Sequence, residues 1–88
     1  MAQQADHHNF MWYVYVLKSK KDGKNYVGST NDLKRRLKEH NNGEVESTKY
    51  RQPLELIYYE AGLDESKARK REKYFKTIWG KRYLKNRI

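Results

Sequence analysis

The chain has no cysteine. That excludes a disulfide framework and any thiolate-bound zinc, so its 88 residues must be held by core packing, and it fits a cytoplasmic setting. No apolar run approaches the roughly 20 residues of a membrane span, and the N-terminus lacks the apolar segment of a signal peptide; a soluble protein with no membrane partner is expected. Proline occurs once, as Pro53, so little stands in the way of regular elements elsewhere. Acidic side chains are scarce, 11 against 20 Lys and Arg, for a net charge of +9. Solubility needs far less charge than that in so small a chain. The excess favours a polyanionic partner, because neutralising phosphates releases counterions. The length suits one domain and leaves no room for a second.

Among what is present, eight tyrosines stand out, several in strand-like runs. Trp12-Tyr13-Val14-Tyr15-Val16-Leu17 and Asn25-Tyr26-Val27-Gly28 are rich in aromatic and β-branched residues. Lys20-Lys21-Asp22-Gly23-Lys24 between them carries the Asp-Gly step of a hairpin turn. Antiparallel pairing brings the phenols of Tyr15 and Tyr26 together if both point to the same face. Thr30 or Asn31 can cap a following helix that keeps Leu33 and Leu37 on one face, sets Arg36 and His40 one turn apart, and stops at Asn41-Asn42-Gly43. Glu44 to Gln52 reads as a polar loop, and Leu54 to Glu60 as a third strand. Asp64 opens a long helix to about Gly80, followed by a last turn or two over Lys81 to Ile88. The predicted order is β-β-α-β-α-α, an α+β fold with a small three-stranded, mainly antiparallel sheet flanked by helices. Residues 11–88 form the domain; residues 1–10, polar and with an incidental His7-His8, are expected to be a disordered leader.

On the long helix Ala68, Glu72, Phe75 and Trp79 share one stripe, which predicts a sheltered carboxylate. A sheltered carboxylate needs a cation, either a nearby Lys or Arg or a bound metal. Spacing alone favours the ordinary salt bridge. Gly28 permits close backbone approach at a strand end, or is simply a turn glycine.

From Trp12 to the C-terminus the ordered set resembles the GIY-YIG endonucleases, a family that includes the nicking domain of UvrC, homing endonucleases and some restriction enzymes. Tyr13-Val14-Tyr15 stands where the family has Gly-Ile-Tyr, and Tyr26-Val27-Gly28 where it has Tyr-Ile-Gly. Arg36 matches the family's essential arginine, His40 the residue one turn later, and Glu72 the glutamate of a later helix. The resemblance implies a phosphodiester hydrolase with catalytic residues Tyr15, Tyr26, Arg36, His40 and Glu72, and with Mg²⁺ or Mn²⁺ on Glu72 as its one protein ligand. Arg36 would hold the scissile phosphate. Tyr15 or Tyr26 would act as general base, Tyr15 being preferred and Tyr26 orienting it; since a free phenol has a pKa of about 10, the base must be lowered by cations or act transiently. His40 would relay a proton or bind phosphate.

Four positions depart from the pattern: Tyr13 replaces the first glycine, Val14 and Val27 replace the two isoleucines, and Ser29 stands where UvrC-like domains have a lysine. Nucleic-acid contacts are expected at Gly28, Ser29, Arg35, Lys49 and Arg51, with Thr48 and Tyr50 in the same loop. Asn86 resembles a late asparagine that helps hold the active-site end. No dedicated recognition element is visible, which implies structure-directed or weakly selective cutting of DNA in repair or recombination, with partner proteins supplying targeting. The phosphate chemistry suits RNA equally. A non-catalytic nucleic-acid-binding module on the same fold is the alternative.

Overall fold

The computed structural model describes residues 11–88; the leader expected over residues 1–10 lies outside the described residues. Strands β1 (Trp12–Ser19), β2 (Asn25–Thr30) and β3 (Leu54–Leu63) form one sheet in the order β2-β1-β3, with both pairings antiparallel. Helix α1 (Leu33–Asn41) lies between β2 and β3, and α2 (Glu65–Phe75) and α3 (Ile78–Lys85) follow β3. The α+β class and the element order are those the sequence predicts.

Central β1 explains its own hydrophobic run, since Val14, Tyr15, Val16 and Leu17 are all buried and both of its faces are covered. On one face Val14 and Val16 pack with Val27, Phe75 and Leu84 under α2 and α3. On the other, Tyr15, Leu17 and Leu54 pack with Tyr26, Leu33 and Leu37 under α1. Among the described residues no helix is long and apolar enough to cross a membrane.

The hairpin between β1 and β2 turns at Gly23, whose φ of +73° is left-handed and suits glycine. Asp22 steadies that turn by accepting from the Lys24 N–H at 2.9 Å. Arg51 then clamps it, donating to Asp22 at 2.8 Å and to the Lys24 carbonyl at 3.1 Å. The Arg51 bond is the main reason the Asp22 carboxyl is held down to about 2.

Three boundaries differ from expectation. Helix α1 is capped by Asp32, whose side chain accepts from the Arg35 N–H, while Thr30 belongs to β2 and receives the Asp32 N–H. Strand β3 runs three residues beyond Glu60, to Leu63. The long helix stops at Phe75, because Thr77 caps a new helix, accepting from Gly80 N–H at 3.1 Å and donating to the Tyr74 carbonyl at 2.6 Å. Gly80 lets α3 fold back there, since a Cβ would meet the Tyr74 carbonyl. The break ends the predicted stripe: Ala68 and Phe75 are buried, but Trp79 is 65% exposed.

Candidate active site

Strand β2 is a sheet edge, and alternation along it divides its side chains between the two faces. Tyr26 and Gly28 look toward α1, Val27 and Ser29 toward α2. The candidate site residues therefore gather on both sides of the Gly28–Ser29 step.

On the α1 side Tyr15 pairs in register with Gly28. A Cβ at Gly28 would lie 2.5 Å from Tyr15 Oη, so the glycine makes room for the phenol, which decides its role over that of a turn residue. Tyr15 and Tyr26 have ring centroids 6.5 Å apart, on the same face as expected. Helix α1 brings His40 edge-on to both rings, at 5.7 and 5.1 Å. His40 Nε2 lies 2.8 Å from Tyr15 Oη, and its Nδ1 lies 2.7 Å from Thr48 Oγ1. Both ring nitrogens thus meet hydroxyls, each able to donate or accept, so either neutral tautomer is satisfied.

This chain is dry. Tyr15 is 2% exposed, and His40 and Thr48 are 0% exposed. Burial, with help from the nearby Arg36 charge, depresses His40 to about 4, so the ring is neutral near pH 7. Burial also pushes Tyr15 up to about 12; the Arg36 guanidinium beside it works in the opposite direction, while Tyr26 and Glu72 raise it further. Arg36 donates to Glu39 at 3.0 Å. Burial opposes its charge, but the hydrogen bond to Glu39 and the nearby Tyr15 oxygen outweigh that and hold it above its ordinary value. Its side chain remains partly open to solvent.

On the α2 side Ser29 Oγ donates to Glu72 Oε1 at 2.6 Å, and Lys76 Nζ lies 2.9 Å from Oε2. The Glu72 side chain is 23% exposed, so it is sheltered as predicted but reachable. Each oxygen keeps a lone pair free, and the largely exposed Lys76 can swing away. Among the described residues no three His, Cys, Asp or Glu converge on a common point. The donor set fits a hard cation anchored by one carboxylate with water and phosphate as its other ligands; it does not fit a closed protein cage.

Several expected contacts are placed otherwise. Thr48 is wholly buried against His40 and unable to meet a nucleic-acid backbone; polarity of the loop gave no sign of this, since the only signal is a hydroxyl eight residues after a histidine. His40 has no free ring nitrogen for phosphate. The Arg51 guanidinium is engaged by the hairpin turn, and the Ser29 hydroxyl by Glu72. Lys49 lies beside Glu46 at 3.3 Å and over the Tyr50 ring. Arg35 pairs with Glu39 at the surface of α1. Asn86 is the exposed C-cap of α3 and makes no side-chain hydrogen bond to the site residues.

Comparison with known proteins agrees with this architecture. Residues 11–85 match the family model described as the GIY-YIG catalytic domain. A UPF0213 protein of Staphylococcus saprophyticus is 40% identical over 74 residues, 83% of this chain and 89% of that protein. The UPF0213 protein YazA of Bacillus subtilis is 42% identical over 71 residues, 80% of this chain and 71% of its own. The solution NMR structure of the UPF0213 protein BH0048 from Bacillus halodurans superposes with a TM-score of 0.53 at 33% identity, covering 86% of this chain and 83% of that one. With its two tyrosine triplets paired across a sheet edge and an arginine and a glutamate on either side, this chain belongs to the GIY-YIG family of nuclease domains.

Proposed function

We propose that the protein is a divalent-metal-dependent endonuclease that hydrolyses phosphodiester bonds, with DNA as its principal substrate, structure-directed or weakly selective, in DNA repair or recombination. The observation that carries this reading is the meeting of Tyr15, Tyr26 and Arg36 on one side of the Gly28–Ser29 step with Glu72 on the other. A phosphate lying over that edge reaches a cationic fork from one face and a carboxylate from the other.

Arg36 binds the scissile phosphate through its planar guanidinium and offsets the charge that grows on its oxygens in the transition state. The base role goes to Tyr26 rather than Tyr15, reversing the preference from sequence. Tyr15 is almost wholly buried and pushed up to about 12, which keeps it protonated and away from an attacking water. Tyr26 is only half-buried on the same face, so its hydroxyl can meet the water that attacks phosphorus and orient and deprotonate it. Tyr15 and His40 hold the Tyr26 ring and the Arg36 head in place, so His40 acts through its neighbours and touches no substrate. Glu72, oriented by the Ser29 hydroxyl, would hold the cation. Mg²⁺ or Mn²⁺ bound there would supply Lewis-acid stabilisation of the departing oxygen.

The test is incubation of purified protein with labelled duplex, single-stranded and branched DNA in Mg²⁺, Mn²⁺ or EDTA, beside Glu72→Gln. Cutting that needs the metal and vanishes in the variant is expected. Salt-sensitive binding without cutting, the same in both proteins, would overturn the enzymatic reading and leave a binding module.

A further inference from the structure

A groove that the chemistry above touches only at Tyr26 and Lys76 runs from the edge strand at Tyr26 and Val27 to helix α3. Five lysines line it, Lys18, Lys24, Lys76, Lys81 and Lys85, against one acidic side chain, Glu55. Among the described residues only Lys76 of these five is in an ion pair, the one with Glu72. Lys81 and Lys85 lie one turn apart on α3, while Lys18 and Lys24 flank the hairpin on the other wall. Between them the lining is apolar, with half-buried Tyr26 and Ile57 and exposed Ile88 above a buried floor of Phe75 and Leu84.

Lysine charge around an apolar lining selects among polyanions. A duplex turns its phosphates outward and keeps its bases stacked within, so it would answer the lysines and press phosphate onto hydrocarbon. A single strand offers phosphates to the lysines and base faces to the apolar lining. Tyr26 and Lys76 belong to the groove and to the catalytic edge alike, so a strand in the groove is continuous with one lying over Gly28 and Ser29.

We infer that this groove binds a single-stranded stretch of nucleic acid continuous with the strand being cut, so that the substrate carries unpaired nucleotides beside the scissile bond. The inference rests on the nuclease reading and narrows it to a substrate class. It has a mechanistic consequence: a phosphate that draws Lys76 into the groove frees Glu72 Oε2, so that seating the strand and opening the carboxylate to a cation occur together.

The experiment measures fluorescence anisotropy of a short labelled DNA single strand, its RNA counterpart and the matching duplex, on Glu72→Gln protein at several salt concentrations. Single strands of either sugar should bind more tightly than duplex. Lys81→Glu/Lys85→Glu in that background should lower single-strand affinity about tenfold or more and reduce the salt slope by about 1.4, as loss of two phosphate contacts requires. Lys67→Glu/Lys70→Glu makes the same charge change on α2 outside the groove and should cost less than about threefold through the screened field alone. Lys81→Gln/Lys85→Gln, which removes charge without adding any, together with a thermal melt of each variant, separates lost binding from lost folding. Duplex bound as tightly as single strand, or equal losses in the two charge-reversed pairs, would overturn the inference. Wild-type cutting is scored separately: groove-dependent binding without metal-dependent cutting sinks the nuclease reading alone, and cutting with an indifferent groove sinks this inference alone.

Discussion

Replacing Thr48 with valine removes one hydroxyl at nearly constant shape, and the structure sets what that costs. Thr48 Oγ1 lies 2.7 Å from His40 Nδ1, both residues are fully buried, and the other ring nitrogen is taken by Tyr15. The variant leaves Nδ1 without a partner in a place that water does not reach. An orphaned buried polar group costs about 1–3 kcal/mol, and the added methyl returns roughly 0.8 kcal/mol, so a net loss of about 1–2 kcal/mol is expected. For a domain of this size that is a fall in Tm on the order of 5–15 °C. Urea unfolding at neutral pH measures it directly. A double-mutant cycle with His40→Phe isolates the bond: the double variant faces apolar against apolar, so it should lose less than the sum of the single variants, with a coupling of about 1 kcal/mol or more. A Thr48→Val protein within about 0.5 kcal/mol of wild type, or strict additivity in the cycle, would refute the claim that this hydroxyl completes a dry Tyr15–His40–Thr48 chain.

His40 makes a pH prediction: its folded pKa of about 4 lies below the ordinary 6.5, so the unfolded chain binds the proton more readily. Stability is therefore full above pH 6.5 and falls between 6.5 and 4 by roughly 3 kcal/mol; chemical denaturation across that window should show the slope in wild type and its loss in His40→Phe. Gly28→Ala places a Cβ 2.5 Å from Tyr15 Oη, and the overpacked edge should lose about 1–3 kcal/mol in denaturant titration together with most of the cleavage rate. An alanine variant that cuts normally would show that Tyr15 does not need its place above Gly28. Arg36→Lys keeps the charge but loses the planar fork, so single-turnover cleavage should drop about 10²–10³-fold. Its Tm should move little, because the Arg36–Glu39 pair is partly exposed and worth about 0–1 kcal/mol.

The order of elements and the chemistry-bearing residues were legible in the chain because they depend on local signals: period-2 tyrosine and valine runs, an Asp-Gly turn, and leucines one helical turn apart. The meeting of Tyr15 with Tyr26 was legible for the same reason, since an antiparallel hairpin settles which of its side chains share a face. Glu72 could be read as sheltered but not as the partner of Ser29, a contact spanning 43 positions that exists only because α2 crosses the back of β2. Local pattern likewise carried the long helix through to Gly80. The break at Thr77 follows from one side chain answering both Tyr74 and Gly80 as α3 folds back over the core.

The tyrosines, arginine and glutamate that mark the family were thus set by residue type and order along the chain. Which phenol lies open to water, that His40 is dry and neutral, and that a lysine groove leads to Glu72 were decided by tertiary packing. Burial, dielectric surroundings and long-range hydrogen bonds belong to the assembled fold rather than to any stretch of sequence.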